Sequence, residues 1–567
     1  RGWVDSYQLL LELSSDDRFG GETVSINVDL SDVRPAGESL KGFGGMANPV
    51  KLKDLYSRVT GILVKSLGRK LTSIECCLLI DEAAVTIVAG NIRRSAGMRQ
   101  FSSDDLIAAG AKENLWQQDS EGNWSIDPDK EALRMANHTR VYHSRPSLDV
   151  ITEAVTKQFH SGEGAIQFAP EAIARSNADL LLTEKSKEEF IDIYCNQGRQ
   201  NAGEWLQKKY GPIDEYELNH RLSRYGLNPC GEILGADFHC NLAEVHLNQI
   251  NPSDHQAQSD AFKAAGLSVA CLLNHRFEVE RYRKSRSLDP IVGVSFTGLF
   301  DFFVHAFGTP WLKWWEAGRP ETIEGKKYKE EESNYLQRWR EIVNETVWDY
   351  CDRHNLRRPN RCTTVQPAGS KSLLTGAAPG WHPPKAQRFI RRITFRKNDP
   401  VAMACMDYGY TIVPSQSDKD EKGRLLDDPF DPRCTEWLVE MPTEVSWANI
   451  PGADEIEINS FSALAQFDFY MQVQAHYTDH NTSATIEFRK DEIEPLSKAI
   501  HKAIENNAGY ISAALLARFD DNQTFPRLPF EPIDAETYQR LKAEVLERRV
   551  STNFFEALGR YDLGELT

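Results

Sequence analysis

The sequence predicts a mixed α/β protein. Stretches with apolar residues at helical spacing alternate along the chain with short β-like runs. The composition is that of a globular chain, since 41% of the 567 residues are hydrophobic and 26% are charged. No run approaches the about eighteen apolar residues that a membrane-spanning helix needs.

Helices and strands are predicted over the whole length of the chain. Helical patterns cover 6–13, 51–89, 148–160, 260–278, 335–354, 459–476 and 491–506. Short β-like runs occur at 165–168, 362–366, 393–396, 410–413 and 484–488. Charged stretches with proline and glycine near 307–334 and 414–433 are interpreted as surface insertions. Because no convincing linker separates these elements, we expect one domain over residues 1–567.

Charge and cysteine usage restrict the class of protein. The net charge is −17, which argues against a dedicated nucleic-acid-binding protein but permits a small anionic substrate surrounded by basic groups. The ten cysteines have no Cys-x-x-Cys spacing, so we expect a reducing cytoplasm and not a disulfide scaffold. The chain begins with Arg1 in what reads as the inside of a fold. We therefore expect a fragment that lacks an N-terminal part and a C-terminal tail.

The most informative segment is Asn-Pro-Cys-Gly-Glu at 228–232, with Cys240 ten positions after Cys230. In an extended loop, alternate side chains point the same way, so Asn228, Cys230 and Glu232 would share one face. An amide, a reactive sulfur and a general base would then lie over one small polar substrate. A buried cysteine that acts as a small hydrophobic residue is the alternative, but its polar neighbours disfavour it.

Two further segments could contact phosphate. Arg93 and Arg94 follow a helix stop at Gly90 and Asn91, and guanidinium groups in a loop can meet phosphate or a base. A solvated arginine pair is the alternative. The small-residue turn at 367–372 follows a β-like run, and its backbone N–H groups with a helix start would favour phosphate. An ordinary turn is the alternative there.

The segment 228–232 resembles the active-site finger loop of ribonucleotide reductases, and its proline and glycine are most similar to the adenosylcobalamin-dependent class. Other segments resemble the same family, in family order and over nearly the whole chain. They are 29–35, 42–45, 90–96, 366–372, 379–383 and 481–486. The chain is identified as similar to the class II reductases, most of all to the monomeric type that reduces triphosphates.

The resemblance implies a role for each polar residue of the loop. Cys230 would become the thiyl radical that abstracts the 3′-hydrogen of a ribonucleotide. Glu232 would take the proton of the 3′-hydroxyl, and Asn228 would hold the ribose hydroxyls. Cys240 would be one of two thiols that reduce the 2′ position and end as a disulfide. The second thiol and a C-terminal cysteine pair would lie outside this chain.

Two binding segments are implied in the same way. The turn that binds the substrate phosphates would be formed by Pro367, Ala368, Gly369, Ser370, Lys371 and Ser372. A loop that relays the identity of a bound deoxynucleotide effector would be formed by Asn91, Ile92, Arg93, Arg94 and Ser95.

The resemblance also implies the fold, the cofactor and the partners. The fold would be a ten-stranded α/β barrel with a central finger loop that carries the active-site cysteine. Adenosylcobalamin would supply the radical, and no residue of the chain is expected to ligate its metal. Thioredoxin or a similar dithiol would return the electrons. The protein would act as a cytoplasmic monomer with no nucleic-acid or membrane partner.

Alternative functions stay open at this point. A diphosphate reductase of the same fold would carry the same motifs. A non-catalytic, nucleotide-binding regulatory homologue would not need Cys230 and Cys240. An iron-dependent reductase would be expected to show a Tyr-Tyr pair, which the sequence lacks. His382 is interpreted as structural and not as a cobalt ligand, and the tryptophans near 311–315 as packing residues.

Overall fold

The structure is a computed structural model that confirms the mixed α/β class. It describes residues 2–20, 25–35, 50–86, 88–89, 92–93, 96–113, 115–118, 124–127, 129–161, 164–416, 418–421, 423–518 and 527–561. Among the helices of these residues, none combines the length and the apolar content that a membrane span requires.

The α-helices are distributed over the whole chain. They are α1 (Gly2–Ser14), α2 (Val50–Lys65), α3 (Ser73–Thr86), α4 (Leu106–Ala109), α5 (Leu148–Ser161), α6 (Ala169–Ser176), α7 (Glu184–Tyr210), α8 (Glu215–Arg221), α9 (His255–Cys271), α10 (Glu280–Leu288), α11 (Leu299–Phe307), α12 (Thr309–Glu316), α13 (Ile323–Arg353), α14 (Pro400–Asp407), α15 (Ala463–His476), α16 (Ile493–Glu505), α17 (Ala535–Arg548) and α18 (Phe554–Gly559).

The β-strands are mostly short. They are β1 (Val88–Ala89), β2 (Ile92–Arg93), β3 (Gly97–Ser102), β4 (Trp116–Gln118), β5 (Trp124–Ile126), β6 (Ala136–Tyr142), β7 (Ala165–Phe168), β8 (Gly226–Leu227), β9 (Leu234–Gly235), β10 (Asn241–His246), β11 (Val292–Thr297), β12 (Arg388–Arg396), β13 (Thr411–Pro414), β14 (Glu436–Glu444), β15 (Thr485–Phe488), β16 (Ser512–Ala517) and β17 (Phe530–Pro532).

Most predicted elements occur where the sequence placed them. β7 coincides with the predicted run 165–168, and α5 matches the predicted helix 148–160 to within one residue. The stretch 51–89 forms two helices, but the prediction is wrong at its end. Val88 and Ala89 pair antiparallel with Arg93 and Ile92 instead. β-Branched residues on both sides favour this short ladder over another helical turn.

By their internal contacts the residues form two compact units. The first unit comprises Arg1–Ala174, Leu180–Ala236 and Ile511–Leu516. In it β3, β6 and β7 run parallel, while β16 pairs antiparallel with β7. α5 connects β6 to β7, which is the crossover that parallel neighbours need. The predicted single domain over 1–567 stays a prediction.

The second unit comprises Arg175–Asp179, Asp237–Tyr510 and Ala517–Thr567. β10 and β11 pair parallel from Asn241–Val292 to His246–Thr297. The predicted run 362–366 continues this parallel array through single bridges from Thr363 to Val294 and from Val365 to Thr482. Every residue of β11 is buried, as in parallel strands covered on both faces.

A separate antiparallel sheet completes the second unit. Its strands lie in the order β13, β14, β12 and β17. Trp437 and Val439 of β14 are fully buried and pack in one core cluster with Ala402 and Cys405 of α14. The predicted insertion 307–334 is largely helical. Trp311 and Trp315 are fully buried, in agreement with their interpretation as packing residues.

Candidate active site

Asn228, Cys230 and Glu232 lie in one β-hairpin of the first unit. β8 pairs antiparallel with β9, in the register Gly226 to Gly235 and Leu227 to Leu234. The residues from 228 to 233 form the loop. The base of the hairpin has no room for a side chain, because a Cβ on Gly226 would lie 2.6 Å from the carbonyl oxygen of Gly235.

The loop contains a tight turn. The N–H of Gly231 donates to the carbonyl oxygen of Asn228 at 2.8 Å, and Gly231 has a φ of 76°. An extended backbone was predicted here, and that prediction is wrong. Asn at the first position, Pro at the second and Gly at the fourth are typical of a β-turn. As a result Cys230 is exposed while Glu232 is only 2% exposed.

The side chain of Asn228 locks this loop from inside. Its Oδ1 accepts hydrogen bonds from the backbone N–H groups of Glu232 and Ile233, each at 3.0 Å. The N–H of Asn228 also donates to the carbonyl oxygen of Ile233 at 3.3 Å. Asparagine commonly satisfies nearby backbone groups in this way. The carbonyl half of the amide is therefore committed to the loop, and Nδ2 is the half that the loop does not use.

Two glutamines attach the base of the hairpin to the parallel sheet. Gln100 on β3 accepts from the N–H of Leu227 at 2.9 Å and donates to the carbonyl oxygen of Tyr225 at 3.2 Å. Gln167 on β7 has no exposed surface and donates to the same carbonyl at 2.7 Å. Gln100 Nε2 also donates to Gln167 Oε1. This network makes the position of the hairpin depend on β3 and β7.

The tip and the far end of the hairpin have their own contacts. Asn137 on β6 donates through Nδ2 to the carbonyl oxygen of Pro229. Past the hairpin, His220 Nε2 contacts the carbonyl oxygen of Ala236 at 3.2 Å. Arg224 Nε donates to Nδ1 of that histidine at 3.2 Å, so the ring proton is on Nε2.

Sequence reasoning missed these supporting residues. Gln167 stands in a four-residue strand that is buried throughout. Since a buried amide needs hydrogen-bond partners, that glutamine was the available signal. Gln100 and Asn137 carry no such signal, because polar residues are common on partly exposed strands.

Cys240 lies in the second unit, directly before β10. Its side chain is half-buried, and Sγ contacts the carbonyl oxygen of Asn241 at 3.6 Å. Burial lowers the pKa of Arg286, and the charge of a Cys240 thiolate opposes that shift. The guanidinium lies 4.3 Å from the ring centre of Phe277, on which His239 also packs. A cation within electrostatic range stabilises a thiolate, the form that exchanges with disulfides.

The predicted phosphate turn lies in the second unit, after the run 362–366. The N–H of Gln366 donates to Ser295 Oγ on β11 at 2.8 Å, and Lys371 Nζ donates to Gln366 Oε1. Ala368 has a φ of 53°, a conformation that is uncommon for a residue other than glycine. The predicted helix start is only a 3-10 turn, Lys371–Leu374, so little helix dipole is present. Phosphate binding at this turn stays a prediction.

The segment behind this turn is held by a buried carboxylate that the sequence did not predict. Asp301 accepts from the N–H of Ala378 at 2.7 Å and from Trp447 Nε1 at 2.8 Å. Burial raises the pKa of Asp301 from 3.8 to about 6, and the two donors oppose the shift. Gly380 closes the segment, since a Cβ there would lie 2.7 Å from the carbonyl oxygen of Gln366.

The predicted effector loop is described only in part. Asn91, Arg94 and Ser95 lie outside the described residues, as does the glycine-rich segment 42–45. For Ile92 and Arg93 the structure describes the backbone of β2 alone. The effector role of these five residues stays a prediction.

His382 has a structural role. Its Nε2 accepts from the N–H of Thr485 at 3.0 Å, and Nδ1 lies 3.2 Å from the carbonyl oxygen of Pro379. Burial lowers the pKa of His382 to about 4, so the ring is neutral. Both nitrogens are thus engaged with backbone. Within the described part of the chain, no cluster of three or more His, Cys, Asp or Glu residues is placed to hold a metal ion.

No family model matches the chain. It is 25% identical over 571 aligned residues to an adenosylcobalamin-dependent ribonucleoside-triphosphate reductase of Levilactobacillus brevis, with 99% of this chain and 66% of that protein covered. Reductases with the same name from Lactobacillus gasseri and Lactobacillus leichmannii are 25% and 26% identical over 553 residues. These two matches cover 95% and 96% of this chain, and 64% and 65% of the relatives. The chain spans about two thirds of the length of these relatives.

A solved structure shares the fold of this chain. The crystal structure of a B12-dependent (class II) ribonucleotide reductase superposes with a TM-score of 0.69 at 21% identity, covering 99% of this chain and 68% of that chain. This likeness shows the fold. The named relatives confirm the predicted resemblance to adenosylcobalamin-dependent ribonucleotide reductases.

Proposed function

We propose that this chain, as a homologue of the class II reductases, is the catalytic part of an adenosylcobalamin-dependent ribonucleotide reductase. It would convert ribonucleoside triphosphates to 2′-deoxyribonucleotides. The observation that carries the proposal is the hairpin, which presents the Cys230 thiol at an exposed turn two residues before the buried Glu232. A turn locked by Asn228 and attached through Gln100 presents a reactive sulfur in a defined position.

The proposal includes the family fold, a ten-stranded α/β barrel with a central finger loop. Each unit supports it by contributing parallel strands. In the first unit these are β3, β6 and β7, and in the second they are β10, β11 and the bridged run 362–366.

The cofactor must reach the sulfur of Cys230, and the exposure of this thiol at the turn fits that requirement. Adenosylcobalamin supplies the radical when it is bound. His382 is not available as a ligand for the cobalt, because backbone groups occupy both of its ring nitrogens. Cobalamin chemistry at this site therefore depends on access to Cys230 and not on a metal ligand from that segment.

The residues of the hairpin would then act on the ribose. The Cys230 sulfur radical takes the hydrogen atom from C3′ and becomes a thiol, and after the reduction it returns a hydrogen atom to C3′, which restores the sulfur radical. Glu232 accepts the proton of the 3′-hydroxyl, which assists departure of the 2′-hydroxyl as water. Nδ2 of Asn228, the half of the amide that the loop does not use, donates to a ribose hydroxyl.

Cys240 would complete the reduction with a second thiol from outside the chain. The two thiols supply two electrons and two protons in all and become a disulfide, while the substrate loses one water. Thioredoxin or a similar dithiol would reduce that disulfide, and Arg286 lies within electrostatic range of the Cys240 sulfur. Lys371 and the backbone of 366–372 would bind the substrate phosphates, and the loop 91–95 would respond to a deoxynucleotide effector. We propose a cytoplasmic monomer.

The test is deoxynucleotide formation by the full-length protein. Product should form only with both adenosylcobalamin and a dithiol, and faster from triphosphates than from diphosphates. Cys230→Ser should abolish turnover and leave nucleotide binding unchanged. Cys76→Ser is the matched control, since Cys76 is also an exposed cysteine of the first unit and should keep full activity.

Three outcomes are decisive. Turnover without cobalamin, or turnover by Cys230→Ser, contradicts the proposal. A preference for diphosphates would favour the diphosphate reductase, and nucleotide binding with no turnover under any condition would favour a regulatory homologue.

A further inference from the structure

A cavity of the first unit that is lined in part by charged residues lies on the opposite face of the parallel sheet from the hairpin. Side chains alternate along β6, so Asn137 reaches the hairpin while His138 and Arg140 line the cavity. On β3, Gln100 faces the hairpin and its neighbour Phe101 lines the cavity. It is therefore separate from the residues assigned to catalysis. The cavity is partly open to solvent.

Two buried acceptor atoms belong to residues that line this cavity, His138 and Gln158. His138 Nε2 lies 2.7 Å from the carbonyl oxygen of Ala108, and burial lowers the pKa of His138 to about 4. The neutral ring donates through Nε2, so Nδ1 is an acceptor. Gln158 on α5 is 7% exposed. Neither His138 Nδ1 nor Gln158 Oε1 receives a hydrogen bond from the described residues. A buried acceptor without a partner is unfavourable, so a donor is expected here.

The charge of the lining is positive. Lys112, Arg140 and Lys157 line the cavity, and Glu113 is the carboxylate among its lining residues. Lys112 is 5% exposed and is fixed by a 2.8 Å bond from Nζ to the carbonyl oxygen of Ala136. Lys157 pairs at 2.9 Å with Glu153, a residue outside the lining. An excess of cations beside a neutral histidine favours an anion.

We propose that this cavity binds a small oxyanion that carries an O–H donor, namely hydrogenphosphate or the singly protonated phosphate of a monoester. The protonated oxygen donates to His138 Nδ1 or Gln158 Oε1. The remaining oxygens accept from Arg140 and Lys157, since guanidinium and ammonium groups are the usual phosphate donors. A carboxylate ligand lacks the O–H donor at neutral pH, and water alone satisfies the acceptors without balancing the cations.

The experiment measures binding of inorganic phosphate to the full chain by isothermal titration calorimetry, at low and at high salt. Arg140→Gln and Lys157→Gln should each weaken binding about tenfold, as expected for the loss of a charge-assisted bond of about 1.5 kcal/mol. Gln158→Glu changes the volume little and adds a negative charge, so it should abolish binding. Arg134→Gln is the matched control, because Arg134 is an exposed arginine of the same unit outside the lining.

Adenosine monophosphate and adenosine distinguish the two sources of the phosphate group. Equal affinity for phosphate and the monophosphate indicates a site for the group itself, and tighter binding of the monophosphate indicates a nucleotide. The proposal is wrong if adenosine binds with the same affinity as the monophosphate. It is also wrong if no phosphate binding is measured, or if Arg134→Gln weakens phosphate binding as much as Arg140→Gln does. If circular dichroism shows that Arg140→Gln is misfolded, Lys157→Gln decides the question.

Discussion

Replacing Asn228 by alanine should open the hairpin loop without unfolding the protein. The change removes one acceptor, Oδ1, from the N–H groups of Glu232 and Ile233, each bonded at 3.0 Å. A net contribution of about 1 kcal/mol for each bond gives about 2 kcal/mol for local opening. Because 1.4 kcal/mol is a factor of ten in an equilibrium, the open population should rise about thirtyfold.

Hydrogen exchange measures this opening directly. The amides of Glu232 and Ile233 should exchange about thirtyfold faster in Asn228→Ala, while amides of distant helices keep their rates. Asn228→Asp is the matched control, since a carboxylate accepts the same two bonds but replaces the Nδ2 donor with a negative charge. It should keep the protection and still lose activity if Nδ2 holds the ribose. Equal exchange in Asn228→Ala and wild type would refute the reasoning that this side chain locks the loop.

Two more predictions concern the glycine at the base of the hairpin and the buried carboxylate. Gly226→Ala should separate β8 from β9, because its Cβ would lie 2.6 Å from the carbonyl oxygen of Gly235. Gly61→Ala in α2 is the control: its Cβ meets no atom within 4 Å, and the change should stabilise that helix by about 0.5–1 kcal/mol. Thermal melting checks both, and a Gly226→Ala protein as stable as wild type contradicts the first. Burial raises the pKa of Asp301 from 3.8 to about 6, so between these pH values the native state binds more protons than the unfolded state. The free energy of unfolding therefore falls by up to about 3 kcal/mol as the pH rises through this window. Asp301→Asn should remove this pH-dependent contribution. The prediction is wrong if the melting temperatures of the variant and the wild type differ by the same amount at about pH 4 and about pH 7.

Local sequence carried the chemistry of the site. The residues Asn-Pro-Cys-Gly-Glu at 228–232 already placed the amide, the thiol and the carboxylate in one segment, and the resemblance to class II reductases followed from motifs in order. The turn itself was also present in the sequence, since Asn, Pro and Gly occupy their preferred turn positions. The prediction of an extended backbone at 228–232 did not take this turn pattern into account. The run 165–168 was correctly predicted as a strand, because the apolar pattern that identifies a short buried strand lies entirely within the local sequence.

Tertiary structure decided how the site is held and what lies behind it. Gln100 meets Leu227 across 127 positions of the chain, and Asn137 meets Pro229 across 92. Such bonds depend on the register of parallel strands, which the pattern of one strand does not contain. The same alternation places His138 of β6 in the lining of the cavity and its neighbour Asn137 at the hairpin. Sequence determined which groups are present, whereas strand pairing determined which face, and so which site, each group serves.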